Sequence, residues 1–175
     1  MMQLKPIIDT ILAQYSLSPF GIHGVSHWAR VLENGLRLAE QTGANIKVVK
    51  LFALFHDAQR INEGHDDQHG LRGAEYAASL RGKLFTLSDE EFEHLYTACV
   101  YHTDGLTTGD ITVQTCWDAD RLDLGRVWIQ PNPKYLCTGA AKDPKMIEWA
   151  TQRSQTYFVP KFVQTQWHVP DGEAR

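Results

Sequence analysis

The chain has 175 residues, enough for one domain with a sizeable hydrophobic core. Hydrophobic residues make up 43% of it and charged residues 22%, which is typical of a folded globular protein. The formal net charge of -4 argues against non-specific binding to a nucleic-acid polymer, because such binding needs an excess of Lys and Arg. The odd set Cys99, Cys116 and Cys137 contains no CxxC pair, so neither a disulfide framework nor a structural zinc site is predicted.

The N-terminal residues lack the apolar core and small-residue cleavage site of a signal peptide, and no apolar run is long enough to cross a bilayer. We therefore expect a cytoplasmic protein that has no membrane partner. No repeat or linker divides the chain, so a single compact domain is predicted over residues 1–175.

Apolar periodicity indicates about seven helices and no strand, so the predicted fold class is all-α. Gly43 is expected to cap the second helix, and Ser88 with Glu91 forms a capping-box pattern that opens the fifth. The segment from Val159 to Arg175 is expected to be irregular and partly mobile. The predicted helices are Leu4–Tyr15, Val25–Gln41, Asn45–Asp57, His69–Gly82, Ser88–His102, Asp110–Leu124 and Asp143–Tyr157.

The second and third predicted helices carry polar residues that need partners. His27 falls beside Val31 and Leu38, at the edge of an apolar face, where a lone histidine is usually a hydrogen-bonded core residue. The third helix is apolar nearly all round and ends in His56-Asp57. A buried Asp57 would need an arginine, a helix N-terminus or a metal ion as its partner, and an ion pair with a nearby arginine (Arg60 or Arg30) competes with the metal.

The sixth predicted helix places Asp120 in the middle of the apolar face formed with Cys116 and Trp117, whereas Asp118 falls to one side and Asp123 points elsewhere. A charged group at the centre of an apolar face needs a strong compensating interaction, either a buried salt bridge or a metal. We favour the metal, because two histidines and a second aspartate face the same problem.

The other histidines can be ranked by the same helical geometry. His69 and His102 are expected to be additional ligands, and His94 is a weaker candidate. Solvated or turn positions are expected for the rest, which are His23, His65 and His168.

Five segments, taken in chain order, resemble the motifs of the HD superfamily of metal-dependent phosphohydrolases. They are His27–Val31, the apolar helix Leu51–Asp57, Asp66–Gly70 with Gly73–Glu75, Tyr101–Gly105 and Asp118–Asp123. The resemblance spans about residues 23–126, and residues 127–175 would form a helical appendage and an irregular tail. Two departures matter: Tyr101 precedes His102 where two histidines often occur, and nothing specific is matched after Trp128.

The resemblance implies a divalent metal ion held by His27, His56, Asp57 and Asp120. One or two ions are expected per chain, and the second would be held by His69 and His102. The mixed nitrogen and oxygen set suits Mn, Fe, Co, Ni, Zn or Mg without selecting among them. The metal would activate a water molecule for attack on a phosphomonoester or phosphodiester of a small molecule, with a nucleotide as one candidate.

The expected catalytic residues are Asp57, His69 and Arg72, and the expected substrate-binding residues are Arg72 and Lys142. Arg30 and Arg121 are assigned to orienting carboxylates instead. Two alternative functions stay open from the sequence. One is a di-iron oxygenase with this fold, and the other is a non-catalytic ligand-binding or regulatory module that keeps the metal for structure.

Overall fold

The computed structural model describes residues 2–169 as an all-helical domain. Over those residues the only strand-like pairing is an isolated bridge between Arg81 and Phe85. The α-helices are α1 (Lys5–Leu12), α2 (Val25–Thr42), α3 (Ile46–Phe55), α4 (His69–Leu80), α5 (Asp89–Tyr101), α6 (Ile111–Arg121), α7 (Gly139–Lys142), α8 (Pro144–Gln155) and α9 (Phe162–Thr165). Two short 3-10 helices cover Leu124–Val127 and Pro133–Tyr135.

Helix α3 lies at the centre of the domain and packs against α2, α5, α6 and α4. Its apolar residues from Val48 to Phe55 are buried on every side, as the continuous hydrophobic pattern predicts. Asn45 caps its first turn by accepting from the amides of Lys47 and Val48. The helix ends at Phe55, so His56 and Asp57 follow directly in the deepest part of the molecule, where both are buried.

Helix α4 approaches its neighbours closely because glycine stands at two positions one turn apart. A β-carbon at Gly70 would clash with the carbonyl oxygen of Cys99 in α5, and one at Gly73 would clash with the carbonyl oxygen of Phe55 in α3. This close packing places His69, the first residue of α4, beside the C-terminal ends of α3 and α5.

Several predicted boundaries agree with the structure. Gly43 caps α2 in the left-handed conformation at φ 73°. Both hydrogen bonds of the capping box between Ser88 and Glu91 are present at the start of α5.

The region after residue 127 differs from the expectation. It contains α7 and α9, which sequence periodicity did not predict, because four residues make little more than one turn. The segment expected to be irregular includes α9, and Val163, Trp167 and Val169 are buried. The expected mobility of residues 170–175 falls outside the described part of the chain. None of the helices within residues 2–169 is long and apolar enough to cross a membrane.

Candidate metal centre

Four side chains predicted to bind a metal converge where α2, the end of α3 and α6 meet. The Nε2 atoms of His27 and His56 lie 3.0 Å apart. An Asp57 oxygen, Oδ2, lies 3.5 Å from the former and 3.6 Å from the latter. The nearest oxygen of Asp120, Oδ1, lies 3.5 and 3.8 Å from the same two nitrogens. We call these four residues the first cluster.

Backbone and side-chain acceptors fix the protonation of both rings in the first cluster. Nδ1 of His56 donates to the carbonyl oxygen of Phe52 at 3.0 Å, and Nδ1 of His27 donates to Oδ2 of Asp123 at 2.7 Å. Each Nε2 therefore carries a lone pair and faces the other Nε2 together with carboxylate oxygens. Facing acceptors at these distances repel one another unless a cation lies between them, so the donor set fits a metal ion.

Asp123 is a functional residue that the sequence reasoning missed. It was expected to point away from the site, but it is buried and orients His27. Arg30 holds it through Nε and Nη2, at 2.7 Å and 3.0 Å from its two oxygens. This is the carboxylate-orienting role expected for Arg30. Such a carboxylate–histidine pair is typical behind a metal-binding imidazole and sets its tautomer.

Asp118 corrects the argument that selected Asp120. Asp118 is completely buried, where it accepts from the amides of Cys137 and Thr138 and from the Thr138 hydroxyl. Asp120 keeps 15% of its side chain exposed. Burial on an apolar face therefore does not distinguish Asp120 from its neighbours. What distinguishes it is that its carboxylate reaches the two histidines.

The second cluster consists of His69, His102 and the same Asp57. The Nε2 atoms of the two histidines lie 2.9 Å apart, and Oδ1 of Asp57 lies 3.2 and 3.8 Å from them. Nδ1 of His69 donates to the carbonyl oxygen of Asp66, and Nδ1 of His102 donates to that of Cys99. Their Nε2 atoms are therefore the available ligand atoms, as in the first cluster.

Asp57 joins the two clusters, because Oδ2 faces the first and Oδ1 faces the second. Oδ1 is buried and has no hydrogen-bond partner within the described structure. An unsatisfied buried carboxylate oxygen is costly unless it meets a cation. Each cluster therefore brings three or more potential ligand atoms close together.

The protonation of these groups suits metal binding. Burial lowers the pKa of His56 to about 3, although Asp57 and Asp120 oppose the change, so its imidazole is neutral at pH 7. Burial would raise the pKa of Asp120, but the nearby His56 and His27, together with Arg126, lower it to about 2. Burial would also raise the pKa of Asp57. The surrounding histidines outweigh this effect and hold the Asp57 pKa well below its usual range.

Arg60 is the arginine that reaches the site. Its Nη1 lies 3.1 Å from Nε2 of His69 and 3.5 Å from Oδ1 of Asp57. The sequence raised Arg60 only as a competing ion-pair partner for Asp57. The structure thus places the competing arginine beside Asp57, on the side of Oδ1.

Arg72, predicted to be catalytic and substrate-binding, contacts other groups. Its guanidinium donates to the carbonyl oxygens of Gln59 and Asp67 and to Oδ1 of Asp66. These contacts favour a structural role in the 59–67 segment, and the catalytic role stays a prediction. Lys142 is exposed at the end of α7, and its substrate-binding role likewise stays a prediction.

Arg121 was expected to orient a carboxylate, but its Nη1 donates to the carbonyl oxygen of Tyr135 and to the Cys137 sulfur instead. Among the lower-ranked histidines, His23 lies in a turn, as expected, and is buried there, with Nδ1 2.5 Å from Oε2 of Glu63. His94 lies 3.7 Å from Asp110 and outside both clusters.

Comparison with known proteins agrees with this geometry. The HD domain family model matches residues 24–125. The structure is similar to a crystal structure of a predicted HD superfamily hydrolase from an uncultured Thermotogales bacterium. The TM-score is 0.64 and the identity 25%, over 89% of this chain and 90% of that one. A comparison with curated proteins gave no match.

The chain therefore belongs to the HD domain family, with the all-α HD fold. The two His and Asp clusters and the family together define a metal-dependent hydrolase.

Proposed function

We propose that the protein is a phosphohydrolase that cleaves a phosphomonoester or phosphodiester of a small molecule, with nucleotides among the candidate substrates. The observation that carries the proposal is the convergence of four metal-binding side chains at the family's motif positions. These are His27, His56, Asp57 and Asp120. The net negative charge of the chain supports a small substrate rather than a nucleic-acid polymer.

The first cluster would hold the metal, with two neutral imidazoles and two carboxylates. A divalent ion bound there lowers the pKa of a coordinated water molecule and polarises a phosphoryl oxygen. The ligand set is compatible with Mn, Fe, Co, Ni, Zn or Mg. Asp120 is its most solvent-exposed member, which makes its side of the cluster the natural point of substrate entry.

The chain itself provides positioning, proton transfer and charge. Asp123 and Arg30 hold His27 in the ligand tautomer. Within residues 2–169, Oδ1 of Asp57 accepts no hydrogen bond, so this oxygen would accept the proton of the attacking water. The guanidinium of Arg60, whose Nη1 lies 3.5 Å from the same oxygen, can stabilise negative charge that develops on the phosphoryl group.

The test is a hydrolysis screen with phosphate esters and nucleotides. Purified protein, stripped of metal by a chelator, would be supplied with each candidate ion in turn. Turnover should appear only with metal and should be lost in His56→Ala. Chelator-resistant turnover would contradict the proposal.

The two other functions predict different results in the same experiment. A bound metal with no turnover on any phosphate ester would favour the non-catalytic binding module. An oxygen-dependent product, with the absorption spectrum of a di-iron centre, would favour the oxygenase.

A further inference from the structure

Arg60 enters the second cluster as a fixed cation. Its Nε donates to the carbonyl oxygen of Asn62 at 3.3 Å, and its Nη2 donates to that of Gly64 at 2.6 Å. The side chain is only 8% exposed. Two of its three nitrogens are thus bound to the 62–64 loop, and Nη1 is left pointing at His69 and Asp57.

That nitrogen contacts the ligand atoms a second metal would need. Nδ1 of His69 is protonated and bound to the carbonyl oxygen of Asp66, so the lone pair on Nε2 accepts from Arg60. Oδ1 of Asp57 lies 3.5 Å from the same Arg60 nitrogen. Arg60 therefore faces two of the three donor atoms in the second cluster.

The two clusters also differ in charge. The first contains the carboxylates of Asp57 and Asp120. Across the described residues no Arg or Lys lies within ion-pair distance of Asp120, and Arg126 acts on it only from further away. The second contains only the shared Asp57, and Arg60 already supplies a permanent positive charge there. A divalent ion placed beside a buried guanidinium would meet strong repulsion, because burial weakens screening.

We infer that Arg60 takes the place of a second metal ion, so that the centre retains one ion, held by the first cluster. The inference rests on the proposed metal centre but not on phosphate-ester chemistry. His69 then contacts Arg60 and Asp57, and His102 contacts His69 and Asp57, instead of binding an ion.

Metal counting tests this directly. Protein saturated with Mn²⁺ and then desalted should retain about one ion per chain by elemental analysis. Arg60→Gln removes the charge, and it should retain two. Arg60→Lys keeps a cation and should retain one. Arg81→Gln is the matched control, because it removes an arginine that is likewise tied to a loop, through Leu87 and Asp89, and it should also retain one.

His69→Ala in the wild-type background gives a test that does not depend on the folding of Arg60→Gln. That variant should still retain one ion. In the Arg60→Gln background it should reduce two ions to one. Circular dichroism would establish that each counted variant is folded.

Four ion counts would overturn the inference. Two ions retained by the wild type, or one ion lost on His69→Ala alone, would overturn the inference. A folded Arg60→Gln that retains one ion would overturn it too, as would two ions in Arg60→Lys. Failure of the phosphate-ester screen would leave the ion counts unchanged, so the two proposals fail separately.

Discussion

The two clusters of the candidate centre share Asp57 and are otherwise built differently. The first is completed by a second carboxylate, Asp120, and backed by the buried Asp123–Arg30 pair. The second has no further carboxylate, its histidines are held by backbone carbonyl oxygens, and Arg60 lies against it. Similar histidine pairs, 3.0 and 2.9 Å apart, can therefore occur beside two carboxylates in one case and beside a carboxylate paired with an arginine in the other. The charge around a donor set, as well as the donor set itself, decides how well it binds a cation.

The largest effect is expected from Asp57→Asn, because this residue belongs to both clusters. The amide has one oxygen and one N–H₂ group, so it cannot face both clusters as an acceptor. Changes to outer partners of metal ligands cost about 10- to 100-fold in metal affinity, so a shared ligand should cost more than about 100-fold. Metal titration and hydrolysis assays would measure it. The protein should stay folded by circular dichroism, and unchanged affinity would contradict Asp57 as a ligand.

Paired alanine variants compare the clusters directly. His56→Ala removes a first-cluster donor, so the retained metal should fall close to zero. His102→Ala removes a second-cluster donor and should leave the retained ion in place. Elemental analysis after desalting would show the difference. Equal losses in the two variants would mean that the clusters bind metal alike.

A smaller effect on the metal is expected from Asp123→Asn, which changes the group behind His27. Metal affinity should fall by about 10- to 100-fold, because the ring loses its charged acceptor and its fixed tautomer. Isothermal titration would measure the affinity. Removing one partner of the buried Asp123–Arg30 pair should also destabilise the fold by about 3 kcal/mol or more.

Asp118→Asn, near the end of α6, is the matched control. Asp118 accepts three hydrogen bonds from Cys137 and Thr138 and touches neither cluster through them. Its replacement should lower the free energy of unfolding by about 1–3 kcal/mol, because a buried acceptor network is left incomplete. Its metal affinity should match that of the wild type, and a loss equal to that of Asp123→Asn would contradict the positioning role.

Gly70→Ala disturbs the second cluster through packing alone. The added methyl group would press on the Cys99 carbonyl and on the His102 ring, so α4 must move away from α5. Overpacking of this kind costs about 1–3 kcal/mol, which urea denaturation would measure. The retained ion should stay, because the first cluster receives no residue from α4. Loss of that ion would show that the clusters depend on each other.

Much of the fold was predictable from the sequence because the long helices show clear apolar periodicity, and because Gly43 and Ser88 mark helix ends. The charge environment was less predictable. Helical geometry selected Asp120 on the premise that it was the buried aspartate, although Asp118 and Asp123 are buried more deeply. Its true distinction is a contact across helices, which periodicity within one helix cannot show.

Arg60 was missed as a site residue for a similar reason. It follows α3, in the 56–60 segment, and its direction depends on the carbonyl oxygens of the 62–64 loop. Asp123 follows α6, and its assignment required knowing that α2 packs against α6 and brings His27 and Arg30 within reach. Tertiary packing, and not local pattern, positions both residues.

The smallest effect is expected far from both clusters, at Glu91. This carboxylate caps α5 and also accepts from Asn45 and Lys47 at the start of α3. It therefore ties together the N-terminal ends of the two helices whose C-terminal ends lead to Asp57 and His102. Its hydrogen bonds with Ser88 and Asn45, and the charge of Lys47, lower the pKa of Glu91 from 4.5 to about 2.

Because the Glu91 pKa is lowered in the folded state, the stability that Glu91 contributes depends on pH. A carboxylate with a lowered folded-state pKa contributes stability that is fully present above the unfolded value and is lost as pH falls through the folded one. The Glu91 contribution should therefore be complete above about pH 5 and fade between about pH 4.5 and 2.

Glu91→Gln keeps a capping side chain but removes the charge, so it should cost about 0.5–1 kcal/mol at pH 7. Its stability deficit should shrink toward zero in that acidic window. Thermal unfolding of both proteins across the window would measure this, and a deficit that grew as the pH fell would contradict the assignment. Metal retention at pH 7 should be the same in both, because α3 and α5 would keep their positions at the site.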